Sequence, residues 1–107
     1  MVHSVLIRTL REGVTLEDFI DAWRPDPVED EQMRFRVVHA RALDDPQKVI
    51  SIGFHDVGAE EFMDFAVSEA FTKTNEVRHE RIAPLIEESE SGFTGVFEVV
   101  ADEEIAL

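Results

Sequence analysis

The chain has no cysteine among its 107 residues. This absence excludes disulfides, thiolate metal sites and cysteine nucleophiles, and it fits a reducing compartment. Basic residues are also scarce: 10 lysines and arginines stand against 24 aspartates and glutamates, which gives a formal net charge of -14. Because nucleic acids and anionic membranes bind basic surfaces, the charge argues against both as partners. The acidic surface then provides solubility, or else it binds cations or basic partners.

Long apolar runs and targeting patterns are absent as well. No run approaches the length that spans a membrane, and the first ten residues lack the basic start and cleavage site of a signal peptide. We therefore expect a cytoplasmic protein. The chain shows no repeat or low-complexity tract, and at 44% hydrophobic residues it is long enough for one domain with its own core. Residues 101–107 form an acidic tail that can be flexible.

The stretch from Ala59 to Ile86 organises the chain. Its apolar residues recur at the spacing of one helix face, which predicts a helix packed on a core; they are Ala59, Phe62, Met63, Ala66, Val67, Ala70 and Phe71. Ser68 is a good helix-capping residue, so the stretch is either one helix or two with a break there. Pro84 is compatible with a new short turn that begins at residues 82–84.

The other segments alternate between strand and helix patterns. Thr15 and Asp18 resemble a capping box that begins a short helix, and Pro25 ends it at or just after Trp23. Residues 25–32 read as a surface loop or as a flap over a pocket, and residues 89–92 as a turn. β-Branched and apolar runs predict four strands, at residues 2–10, 33–43, 48–57 and 93–100.

This order of elements predicts an α+β fold of the ferredoxin-like βαββαβ type. Such a fold has a four-stranded antiparallel sheet with both helices on one face. The first strand carries apolar residues on both of its faces, with His3, Val5 and Ile7 on one of them. Since no further element covers the second face, we expect a second copy of the sheet to do so. The expected assembly is a homodimer in which two sheets form a barrel.

Three short segments resemble the dimeric α+β barrel superfamily, and within it the antibiotic biosynthesis monooxygenase-like group. They are residues 13–19 (Gly-Val-Thr-Leu-Glu-Asp-Phe), residues 51–56 (Ser-Ile-Gly-Phe-His-Asp) and residues 68–71 (Ser-Glu-Ala-Phe). The resemblance implies a ligand pocket between helices and sheet. It also implies an activity without metal or flavin on a small aromatic or polyketide-like ligand. The fold itself hosts many chemistries and does not select one.

The haem-degrading branch of that superfamily fits poorly. It typically has an asparagine on the first strand, a tryptophan at the end of the third strand, and a histidine on the long helix. Here the first strand has no asparagine, and Phe54 ends the third strand. The helix position is occupied by Asn75, while His79 lies about one turn further along. We therefore expect no haem, and the four histidines show no metal-binding spacing.

Arg78 is the leading candidate for a functional residue. It lies seven positions after Phe71 and shares its helix face, so it points inward and needs a partner. That partner is either an acidic side chain of the protein or the anionic or carbonyl group of a ligand. His79, Asn75 and His39 are the other polar candidates; each histidine is either a hydrogen-bonded core residue or a general acid or base.

The aromatic residues are expected to converge between the helices and the sheet, either as plain core or as the wall of an apolar pocket. They are Trp23, Phe19, Phe54, Phe62 and Phe71. Two hypotheses follow. The first is a cofactor-independent, monooxygenase-like enzyme whose polar groups include Arg78 and His79. The second is a non-catalytic dimeric module that binds a small ligand or serves an accessory role.

Overall fold

The computed structural model describes residues 1–24, 34–87 and 94–107. The strands are β1 (Val2–Thr9), β2 (Arg36–Arg41), β3 (Lys48–His55) and β4 (Gly95–Glu98). The helices are α1 (Leu16–Trp23), α2 (Ala59–Ala66) and α3 (Glu69–Ile82), and a 3₁₀ turn follows at Ala83–Leu85. The predicted connections at residues 25–32 and 89–92 lie outside the described residues, as do Met33 and Phe93 at the starts of two predicted strands.

The four strands form one antiparallel sheet in the order β2-β3-β1-β4. The predicted α+β class and the antiparallel hairpin of β2 and β3 are therefore confirmed. The element order is βαββααβ, because the region between β3 and β4 contains two α-helices. It thus departs from the strict ferredoxin-like order that we predicted.

Side chains alternate between two faces of the sheet, as strand geometry requires. One face, called the helix face below, carries residues that are mostly buried: Val2, Ser4, Leu6 and Arg8 of β1 and Val49, Ser51, Gly53 and His55 of β3. The opposite face, called the open face, carries His3, Val5, Ile7, Arg36, Val38, Ala40, Ile50, Ile52, Phe54 and Phe97. The three α-helices of the described residues pack on the helix face.

The core lies where α1 and α3 meet the helix face near the end of β1. Its buried members are Leu10, Phe19, Trp23, Val49, Ile82 and Ile86. The N-terminus of α1 has the predicted capping box, in which the Thr15 hydroxyl accepts from the Asp18 amide and the Asp18 carboxylate accepts from the Thr15 amide. The helix ends at Trp23, in agreement with the expectation from Pro25.

The long apolar stretch is divided at Ser68, which settles the alternative left open by its sequence. The Ser68 hydroxyl accepts a hydrogen bond from the Phe71 amide at 3.3 Å and so caps α3. The rings of Phe65 and Phe71 meet across the break, with centroids 5.0 Å apart. Pro84 lies in the 3₁₀ turn, where its missing N–H leaves no helical bond unmade.

None of the helices in the described residues is long and apolar enough to cross a membrane.

Candidate functional site

A cavity lies between the helix face and the helices. Its unfilled space is about 320 Å³ including the part that opens to solvent, but the centre of a water molecule can reach only about 10 Å³ of it. That is room for about one ordered water. Its walls combine six apolar or aromatic residues with five polar or small ones, which are Ser4, Ser51, Gly53, His55 and Arg78.

Arg78 points into this space from α3 and is 7% exposed. Its Nε donates to the Trp23 carbonyl at 3.1 Å, one terminal nitrogen donates to the Asn75 side-chain oxygen at 3.2 Å, and the guanidinium lies 4.1 Å from the centre of the Trp23 ring. Burial lowers the pKa of Arg78 to about 10, so it is still a cation at neutral pH.

No carboxylate of the described residues pairs with Arg78. Of the two alternatives for its partner, an acidic side chain is therefore not found among the described residues. Two neutral oxygens and one aromatic ring compensate the buried charge only in part, since a buried cation normally takes an anionic partner. An anionic or carbonyl oxygen in the cavity would complete its coordination.

Ser4 and His55 form a buried pair on the helix face. The Ser4 hydroxyl and the His55 Nε2 are 2.9 Å apart. Ser4 is directly opposite Gly53 on the neighbouring strand, and His55 lies two residues beyond it on the same face. A β-carbon at position 53 would lie 2.5 Å from the Ser4 hydroxyl and 2.7 Å from the His55 Nε2. The pair therefore depends on the missing side chain, which explains the glycine that the sequence places inside a strand.

The imidazole of His55 is held between two phenyl rings. The centroids of Phe35 and Phe62 lie 4.4 and 4.7 Å from its own. Burial is the main cause that lowers the pKa of His55, and the charge of His3 lowers it further; the ring is therefore neutral at pH 7. Among the residues that the structure describes, its Nδ1 has no hydrogen-bond partner, and neither does the Nε1 of Trp23.

A second histidine–serine pair lies beside the first. The Nδ1 of His39 is 2.7 Å from the Ser51 hydroxyl, and the His39 ring meets Trp23 edge-on at 4.9 Å. The pKa of His39 is lowered mainly by burial and also by the charges of Arg24 and Arg78. His55 lines the cavity and can accept a proton from a ligand there, whereas His39 is connected to it only through Ser51. Arg78 can hold the anion that remains.

Several residues expected at the site from the sequence do meet there. Arg78, Trp23, Phe62 and Phe71 line the cavity. Asn75 contacts it through its hydrogen bond to Arg78. His39 and Phe19 lie one layer behind, against Trp23 and in the core, with their rings 6.3 Å apart.

Phe54 and His79 do not join the cavity. Phe54 is on the open face, where it packs against His3 at 4.5 Å and beneath the guanidinium of Arg36 at 5.2 Å; its predicted convergence with the other aromatics is wrong, because neighbouring residues of a strand face opposite sides. His79 is half-buried beside the cavity-facing Arg78 but does not line the cavity. Burial lowers its pKa, and the charges of Arg8 and Arg78 lower it further.

Sequence reasoning missed Ser4, Ser51 and His55 as residues of one site. The available signal was the period of two, which places Ser51, Gly53 and His55 on one face of β3. What it could not supply was the register that sets Ser4 opposite Gly53.

No group of three or more histidine, aspartate or glutamate side chains in the described residues could hold a metal ion.

Comparisons of the chain with protein-family models, curated proteins and solved structures find no match. The protein is therefore classified by its fold alone, as an α+β protein with a four-stranded antiparallel sheet.

Gly53→Ala tests whether the open position on β3 is needed. We expect the new methyl group to separate Ser4 from His55 and to lower the free energy of unfolding by about 1–3 kcal/mol, measured by chemical denaturation. Gly58→Ala is the matched control, because a β-carbon there would have nothing within 4 Å. Equal stability of the two variants would contradict the tight approach at Gly53.

The pH dependence of stability follows from the three histidines with lowered pKa values. Their folded pKa values lie below the ordinary 6.5, so the unfolded chain binds more protons as the pH falls through this range. This contribution to stability is complete above about pH 6.5 and is lost on acidification. We expect the thermal midpoint to fall from pH 7 to about pH 5.5, and to fall less in His55→Gln. Parallel curves for the two proteins would contradict the assignment to His55.

Proposed function

We propose that this chain is a homodimeric barrel protein, similar to the antibiotic biosynthesis monooxygenase-like group, that binds a small flat ligand with an anionic or carbonyl oxygen. The observation that supports the proposal is Arg78: a cation that is 7% exposed, lines a cavity, and has no carboxylate partner among the described residues. A ligand oxygen is the partner that such a guanidinium lacks.

The rest of the cavity defines the complementary part of the ligand. Trp23, Phe35, Phe62 and Phe71 provide aromatic edges and faces, which favour a flat apolar body. A phenol or enol bound with its oxygen toward Arg78 can lose its proton to the neutral His55, and its anion is stabilised by the guanidinium. Such electron-rich anions react with dioxygen without metal or flavin, which is the activity that the resemblance implies.

A non-catalytic binding module is the second candidate, and one observation favours it. The room for a water centre inside the cavity is only about 10 Å³, well below the few hundred Å³ of ordinary ligand pockets. A ligand with a ring therefore has to occupy the solvent-open part of the space or displace the walls. The same contacts to Arg78 then hold a ligand without positioning it for reaction.

The homodimer is proposed from the open face. This face carries apolar side chains on three strands, with His3 and Arg36 toward one end, and it continues on β4 with Phe97, which is 55% exposed. Individual exposed apolar residues are ordinary, but a contiguous apolar sheet face is typical of an interface. A second copy offers the same surface and satisfies two-fold symmetry. The ferredoxin-like type is supported by the strand order and by the packing of all helices on the other face.

Ligand binding is measurable through Trp23, which is the chain's only tryptophan and lines the cavity. We expect 4-hydroxybenzoate to change its fluorescence in a saturable way, and the neutral 4-hydroxybenzamide to bind more weakly. Arg78→Gln should lower the affinity for the anion by roughly ten- to a hundredfold, since a hydrogen bond to a charged group contributes about 1.5–3 kcal/mol. Arg78→Lys, which keeps the charge but loses the planar fork, should give an intermediate affinity.

Equal affinities for the anion and the amide, or an unchanged affinity in Arg78→Gln, would contradict the proposed anchor. Circular dichroism of each variant verifies that it is folded. An oxygen electrode separates the two candidates: uptake with 1,4-dihydroxynaphthalene that exceeds the protein-free rate, and that Arg78→Gln loses, indicates the enzyme. Saturable binding with only the protein-free rate of uptake indicates the module.

The dimer has its own test. Ile52→Asp places a carboxylate at the middle of the open face, where its burial without a partner costs several kcal/mol. Sedimentation at micromolar concentration should show a dimer for the unaltered chain and a monomer for Ile52→Asp. Val77→Asp on α3, away from the open face, should stay dimeric. A monomeric unaltered chain would overturn the barrel.

A further inference from the structure

Ser4 and His55 have the arrangement of a nucleophile and its base. Their 2.9 Å separation lies within the range of about 2.6–3.2 Å at which a histidine takes the proton of an attacking hydroxyl. Both residues line the cavity, so the hydroxyl opens onto the space where a substrate would lie. This is unlike a serine that is enclosed on all sides and only satisfies a core histidine.

The missing side chain at Gly53 makes room for this hydroxyl and for the histidine bonded to it. Any β-carbon at that position would contact both the Ser4 oxygen and the His55 Nε2, and the register sets Gly53 directly opposite Ser4. The pair itself occupies the space beside β3, and its reacting atoms face the cavity that both residues line. The guanidinium of Arg78, on a wall of the same cavity, is the cation available for the negative oxygen that forms during an acyl transfer.

We propose that Ser4 is an acyl-accepting nucleophile with His55 as its general base, and that the cavity accepts esters of short carboxylic acids. The Ser4 oxygen attacks the ester carbonyl carbon while its proton passes to the His55 Nε2. The tetrahedral oxyanion, held by Arg78, reforms the carbonyl and expels the alcohol oxygen, which takes the proton from Nε2. Water then releases the acid from acyl-Ser4 by the same steps, so that ester and water give acid and alcohol.

The size of the cavity selects the acyl group. The enclosed room is that of about one water, so even an acetyl group extends into the solvent-open part of the space, and a long acyl chain would have to do so far more. The site also lacks one element of faster hydrolases, because no carboxylate of the described residues holds the His55 Nδ1. Without a carboxylate at Nδ1, the imidazolium that forms when His55 takes the proton is only weakly stabilised. We therefore expect the acyl group to leave Ser4 slowly and the acyl-enzyme to accumulate.

The test uses p-nitrophenyl acetate and the full chain. We expect a burst of p-nitrophenolate that approaches one equivalent per chain, and a mass increase of one acetyl group that peptide mapping assigns to Ser4. p-Nitrophenyl octanoate should give a much smaller burst. Acetylation confined to Lys48, Lys73 or the amino terminus, with Ser4 unmodified, would overturn the proposal. A burst of equal size with octanoate would overturn the assignment of short acids.

Variants separate the roles. Ser4→Ala should abolish the burst, and His55→Gln, which keeps a hydrogen-bonding side chain, should slow it by at least about a hundredfold. Ser4→Cys should restore an acetylated residue at position 4, and this thiol is the only one in the chain. Ser68→Ala, outside the cavity, should retain the burst. An undiminished burst in folded Ser4→Ala or His55→Gln would refute the pair, whatever the affinity of 4-hydroxybenzoate.

Discussion

The contact between Arg78 and Trp23 connects the fold to the candidate site. The guanidinium lies over the indole and its Nε reaches the carbonyl at the last residue of α1. A cation–π contact that is removed from water contributes about 2 kcal/mol, and here it joins the end of one helix to the middle of another. These two helices cover part of the helix face, and both Trp23 and Arg78 line the cavity. The contact between them therefore forms part of the cavity wall.

The second constraint is the missing side chain at Gly53. Most of the helix face is filled, with Val2, Val49 and Phe62 each 1% exposed. Gly53 has no side chain, and the Ser4–His55 pair occupies the space that a side chain there would fill. The result is a polar pair embedded between phenyl rings, a setting that favours a neutral imidazole. Fold and candidate chemistry thus depend on the same local feature.

Local signals in the sequence predicted the elements well. Thr15 begins a helix where expected, and Ser68 begins the second helix of the two-helix alternative. The inward direction of Arg78 followed from its spacing to Phe71. These features depend on backbone bonds and side-chain periods over a few residues, which a sequence displays directly. Phe54 is an exception: aromatic character alone does not fix which face of a strand a side chain occupies, and the alternation places Phe54 with His3 on the open face.

The sequence by itself determined the α+β class, the separation of each strand into two faces, and a buried arginine on the last helix. Only the tertiary structure decided which side chains meet. Ser4 and His55 are 51 residues apart, and their contact requires the register between β1 and β3, which a shift of one residue would reverse. Likewise, the partner of Arg78 is the end of a helix 55 residues earlier. Pairing over such distances is set by the packing of whole elements, for which no short stretch of sequence carries the information.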